Sequence, residues 1–94
     1  MARTVTTESG FVCTIEEDAL DDFELLEALG EMDNKEDGLR LIAGFKDTMK
    51  LLLGEEQKDK LFDHIRAEHG RVKVSVLKTE IMQIFAGLSE AKKN

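Results

Sequence analysis

The chain has 94 residues, 41% of them hydrophobic, and its 20 acidic and 13 basic side chains give a formal net charge of −7. A chain of this size makes one domain with a modest core, and so acidic a balance argues against a nucleic-acid or anionic-lipid binding surface. No stretch approaches the ~20 apolar residues that span a bilayer, the opening MARTVTTESG lacks the apolar centre of a signal peptide, and a lone cysteine, Cys13, has no internal partner, so a soluble intracellular protein is expected.

In chain order, residues 1 to 10 are polar and predict a loose terminus ahead of a single helical domain over 11 to 88. From Phe11 to Ile15 the side chains alternate, placing Phe11, Cys13 and Ile15 on one face of a short strand. That strand needs a partner: the segment Gly70 to Val74, the terminal residues, or the edge of another molecule in a homodimer or ring. The acids between Asp18 and Asp22 supply a helix start, with Asp21 and Glu24 in the spacing of a capping box. Phe23, Leu25, Leu26, Ala28, Leu29 and Met32 then cover more than half the helix circumference, leaving Glu24, Glu27 and Glu31 as a narrow acidic ridge.

Asp33 to Gly38 is a polar break. The next stretch, Gly38 to Gly54, organises the rest: Leu41, Ile42, Phe45, Met49, Leu52 and Leu53 share an arc of about a third of the circumference, bordered by Lys46 and Lys50. Gly54 suits the left-handed residue that ends a helix. A third helix is predicted from Glu55 to about Glu68, with acids in its first turn, a stripe of Leu61, Phe62 and Ile65, and Gly70 at its end. After extended Arg71 to Val74, Ser75 is positioned to cap a fourth helix with Leu77, Ile81, Ile84, Phe85 and Leu88 on one face, and residues 89 to 94 form a polar, flexible tail. The fold class is therefore mostly α: a four-helix domain with a short N-terminal β segment.

Chemical constellations are sparse. Taking Asp33 as the start of a calcium loop puts Gly44 where the bidentate glutamate belongs, so that reading fails. His64 and His69 are five residues apart and diverge by about 140° on a helix, which rules out one-face metal ligation and leaves His64 solvated and His69 at a helix end. Cys13 lacks any neighbouring base in the pattern and reads as a small buried hydrophobe. The glycines form neither a phosphate loop nor a dinucleotide fingerprint. No catalytic, metal or cofactor residue is expected, and the chain reads as a non-enzyme.

The order FELLEALGEMD, LLLGEEQKDKL, EHGRV and IMQIF resembles the small tail assembly chaperones of long-tailed phages and prophages of Gram-positive bacteria. The resemblance spans about residues 11 to 88, and its most specific pieces are Leu53-Gly54-Glu55-Glu56-Gln57 with Leu61, and Gly70-Arg71-Val72. The Thr-rich opening ten residues carry no family feature. The resemblance implies a chaperone that binds the tail tape-measure protein and brings tube subunits to it, working in the host cytoplasm and absent from the mature virion. It also implies a longer frameshifted form, for which consecutive lysine codons at Ala91-Lys92-Lys93-Asn94 would provide the slippery run.

Such a client requires apolar surface on a stable scaffold. Leu25, Met32, Leu51 and Met82 lie off the main stripes and are the candidate contacts, with methionine suited to varied partners. Phe11 and Ile15 are candidates for pairing between subunits. The alternative reading is a small acidic regulatory protein whose ridge of Glu24, Glu27 and Glu31 occupies the basic site of a DNA-binding partner.

Overall fold

The computed structural model describes the backbone of residues 1 to 92 and the side chains of residues 1 to 89. Two antiparallel strands, β1 (Ala2–Thr6) and β2 (Val12–Glu16), are followed by a 3-10 turn at Glu17–Asp21 and four helices: α1 (Phe23–Glu31), α2 (Gly38–Leu52), α3 (Gly54–His69) and α4 (Val74–Lys92). The expected fold class, mostly α with a short N-terminal β segment, is the one observed.

The N-terminus is not the loose segment expected, and of the three pairing partners open to the Phe11–Ile15 strand it is the terminal residues that supply one. Residues 2 to 6 form the strand that pairs with β2, in a register that sets Val5 opposite Cys13 and Arg3 opposite Ile15. Val5 and Thr7 are buried while Ala2, Thr4 and Thr6 face outward. The two strands are joined by a tight turn: Gly10 N–H donates to Thr7 O, Thr7 N–H donates to Phe11 O, and Gly10 takes a left-handed φ of 93°. One large apolar residue inside a threonine-rich strand gave the alternation too little amplitude to be read.

Helix ends follow local chemistry. Asp22, one position beyond the expected Asp21, caps α1 by accepting from Glu24 N–H and Leu25 N–H, and Asp37 does the same for α2. Gly70 closes α3 in the left-handed region, and Gly54 adopts it at the α2–α3 junction. Helix α4 begins at Val74, so Ser75 lies within its first turn rather than at the cap. It continues through Lys92, so residues 89 to 92 extend the helix instead of a loose tail; Lys93 and Asn94 lie outside the described residues.

The core lies between the hairpin and the helices, with Ile15, Leu25, Leu61, Ile65, Ile81 and Ile84 almost wholly excluded from water. The predicted stripe of α4 is buried at all five positions. On α2 the buried face is Gly44, Phe45, Thr48, Met49 and Leu52, turned away from Ile42, which is exposed. The cause is Gly44. A Cβ there would come within 2.7 Å of Glu31 Cβ and 2.9 Å of Ala28 O, so the bare backbone lets α1 lie directly on α2.

Gly44→Ala tests this contact. In an open helix that change stabilises by about 1 kcal/mol, whereas here overpacking against α1 backbone costs roughly 1–3 kcal/mol. A net fall in urea midpoint is expected; a rise would show that the two helices separate freely. Gly87 works similarly, since a Cβ there would meet Val5 Cγ1 at 2.8 Å, and its absence lets β1 pack against α4.

Candidate functional site

The six residues singled out for partner contact divide sharply. Leu25, Met32, Phe11 and Ile15 are all buried and belong to the core. The first two were misplaced because a helix apolar on most sides offers no unique inward direction; α1 turns Leu25, Ala28 and Met32 inward and leaves Phe23 and Leu26 outside. The last two lie on the inner face of β2, whose ladder partner is β1 of the same chain. Its other edge is occupied at Thr14, where the Gln57 amide accepts from Thr14 N–H at 2.7 Å and donates to Thr14 O at 2.9 Å. Gln57 therefore mimics a strand residue, and pairing of β2 with another subunit at Thr14 would require its displacement.

Leu51 and Met82 remain exposed, at 40% and 47%. They are joined on the helix surfaces by Phe23 at 76%, Leu26, Leu39 at 81% and Ile42. Met82 lies with Thr79, Gln83 and Ala86 around a shallow, mostly apolar depression on α4. Leu51 lies at a cleft of about 510 Å³ between α1 and α2, lined by Glu24, Glu27 and Glu31 on one side and by Arg40, Asp47 and Lys50 on the other. The helices run antiparallel there, because Arg40 at the start of α2 meets Glu31 at the end of α1 at 2.7 Å. A hydrogen bond from Asn34, reinforced by the Arg40 charge, holds the Glu31 carboxyl below its ordinary range. Of the acidic ridge, only Glu24 and Glu27 are exposed.

A second constellation escaped the sequence because its members are 55 to 73 residues apart. Glu80 of α4 is buried, and its Oε1 accepts from Thr7 Oγ1 at 2.7 Å and from Ser9 Oγ at 2.9 Å. Ser9 Oγ also lies 2.9 Å from His64 Nε2, whose ring rests against Phe11 with centroids 5.7 Å apart. His64 is thus half-buried rather than solvated. With the Ser9 proton directed to Glu80, His64 donates to the Ser9 oxygen. Ser9 thus accepts from His64 and donates to Glu80, the reverse of a nucleophilic triad, in which the histidine takes the serine proton, and the arrangement tethers the hairpin turn to α3 and α4.

Cys13 is buried beside this network. Burial, and secondarily the charge of Glu80, pushes its thiol from 9.0 up to about 11. Since the thiolate is the reactive species, the native protein should resist a thiol-directed disulfide reagent at pH 8 and react fully in denaturant. Rapid native labelling would show that the hairpin opens readily. Among the described residues no group of three or more His, Cys, Asp or Glu side chains could hold a metal ion, and no helix is long and apolar enough to cross a membrane.

A scan against protein-family models, a search of curated proteins and a search of solved structures each return no match to this chain.

Proposed function

We propose that this chain is a non-enzymatic tail assembly chaperone that holds the tail tape-measure protein in solution in the host cytoplasm, presents it to tube subunits, and is left out of the finished virion. The observation that carries the reading is the exposure of large apolar side chains on helices whose core is already complete: Phe23 and Leu26 on α1, Leu39, Ile42 and Leu51 on α2, and Met82 on α4. A helical client with an apolar stripe would cover such positions. The identity of the client rests on the resemblance of the helix-end segments, especially Leu53 to Gln57 and Gly70 to Val72.

Co-expression with the tape-measure protein of the same genome tests the reading. The client should stay in the soluble fraction and co-purify when this chain is present, and precipitate when it is absent. Equal precipitation in both cases would overturn the proposal. Leu51→Asp or Met82→Asp should weaken client retention at least about tenfold while moving stability by less than about 1 kcal/mol, since both side chains already meet water. A full loss of fold in either variant would place that residue in the core instead.

The second reading, an acidic regulator seated on a basic DNA-binding partner, draws on the exposed Glu24 and Glu27. It requires salt-sensitive binding to a DNA-binding protein that DNA competes away and that reversing those charges abolishes, with no effect of this chain on the solubility of the tape-measure protein.

A further inference from the structure

The negative charge of this protein is not spread over its surface. Next to the α1–α2 cleft lies a second cavity of about 580 Å³, where the 3-10 turn meets the start of α1 and the end of α2. It is lined by the acidic residues Glu16, Asp18, Asp21 and Asp22, with Phe23 and Leu52 among its apolar walls. The two cavities share Glu24 and Leu51, so they adjoin end to end and together make an acidic trough. On α2 it runs from Arg40 to Leu51, about three turns or ~16 Å.

Eight carboxylates line the trough: the four just named, Glu24, and Glu27, Glu31 and Asp47 in the first cleft. Against them stand two cations, Arg40 and Lys50. The whole chain has 20 acidic and 13 basic side chains, so twelve and eleven remain elsewhere. The trough therefore carries a net six negative charges and the rest of the molecule only one. Arg40 is already paired with Glu31, Glu16 faces the N-terminal amine at 3.6 Å and Asp22 caps α1, which leaves Asp18, Asp21, Glu24, Glu27 and Asp47 as the trough's uncommitted acids. Along the floor and rim, Leu51 and Phe23 are the large apolar side chains that water reaches.

We infer that this trough is the docking site for a cationic amphipathic helix, about three turns of which lie along the α1–α2 seam with an apolar stripe on Phe23 and Leu51 and lysines or arginines among the flanking acids. The inference rests on the client-binding reading above and gives the client segment a place and a charge. Two features favour this occupant. The apolar exposure is too narrow for an uncharged helix to gain much, and clustered carboxylates in one concavity repel one another until a cation of matching layout enters. A helix places lysine at positions three and four apart beside its apolar stripe, so both rims are met at once. Long lysine stems add apolar cover while keeping their charge at the rim.

The test uses the full chain and two synthetic peptides of about 18 residues with the same leucine stripe at helical spacing, one flanked by lysines and the other by glutamates. Titration followed by amide NMR shifts should show the lysine peptide binding, with shifts confined to residues 16 to 31 and 40 to 52. Affinity should fall at least about tenfold between about 50 and 300 mM salt. The paired variant Glu24→Lys with Glu27→Lys, and separately Leu51→Ala, should each weaken binding at least about tenfold, whereas Met82→Asp, on α4 outside the trough and so meeting a different segment of the client, should leave this peptide's binding unchanged. Thermal unfolding of each variant confirms that the fold persists, and Leu51→Ala keeps the test open if the charge reversals disturb α1. Equal binding of the glutamate peptide, shifts centred on α4, or no binding of either peptide would overturn the inference. Failure of the trough and failure of the chaperone reading are separable: a client still kept soluble by the Glu24→Lys, Glu27→Lys chain overturns only the docking site. Tight peptide binding by a protein that leaves the tape-measure protein insoluble overturns only the client.

Discussion

Removal of residues 1 to 7 should unfold most of the protein at 37 °C, although their polar composition predicts a loose terminus. The strand they form covers β2 along five register positions and buries Val5 against α4 beside Gly87. Losing the Val5 side chain alone forfeits roughly 1.5–3 kcal/mol of apolar burial. Loss of Thr7 removes one of two hydroxyl donors to the buried Glu80, worth a further ~1–3 kcal/mol. The unpaired strand would then present its ladder groups and the flank of Cys13 to water. These losses approach the lower end of the roughly 5–15 kcal/mol that holds a small domain together. Circular dichroism and urea unfolding of the truncated chain should show a collapse of the cooperative transition, with Cys13 labelled quickly at pH 8. A melting temperature within a few degrees of the intact chain would mean that the helices are self-sufficient. Replacing outward-facing Thr4 and Thr6 by alanine provides the control, and should cost less than about 1 kcal/mol.

That contrast shows where the sequence is informative. Helix α4 was legible because Leu77, Ile81, Ile84, Phe85 and Leu88 repeat at 3.6-residue spacing against polar neighbours, and all five are buried. The ends of α2 and α3 were legible because Gly54 and Gly70 are placed where the chain must turn left-handed. The facing of α2 was legible at Phe45, Met49, Leu52 and Leu53, which are buried, but not at exposed Ile42 or at Gly44, whose close contact adds no hydrophobic weight to a helical wheel. Leu25 and Leu26 are neighbours of one chemical type, and only the docking of α1 on α2 decides that the first is core and the second surface.

The surface features were partly legible for the same reasons. Leu51 and Met82 could be identified as off-stripe residues from periodicity alone, but the trough could not. Its acids come from β2, the 3-10 turn, α1 and α2, and their sum becomes a local field only when those four elements meet. An acidic sequence predicts solubility; an acidic concavity specifies the charge of a partner. The tether between Ser9, His64 and Glu80 lies further still from any local pattern.

Glu80 provides the second large effect. Glu80→Leu keeps the volume near that of the native side chain yet leaves the Thr7 and Ser9 hydroxyls without their acceptor, so it should destabilise by about 3 kcal/mol or more despite its greater hydrophobicity. For a domain of this size that lowers the melting temperature by roughly 10–20 °C. Glu80→Gln retains a carbonyl oxygen for the same two donors and should lose about 1 kcal/mol, the difference between a charged and a neutral acceptor. The order of the two variants carries the argument. Leucine more stable than glutamine would mean that the carboxylate is an unfavourable burial tolerated for another reason, as some buried ionic groups are. Glutamine more stable than leucine would identify the hydroxyl–carboxylate contacts as what pins the hairpin turn to α4. Thr7→Val in each background then measures the coupling: it should cost more beside glutamate than beside leucine, where only the bond that Thr7 Oγ1 accepts from Phe11 N–H is left to lose.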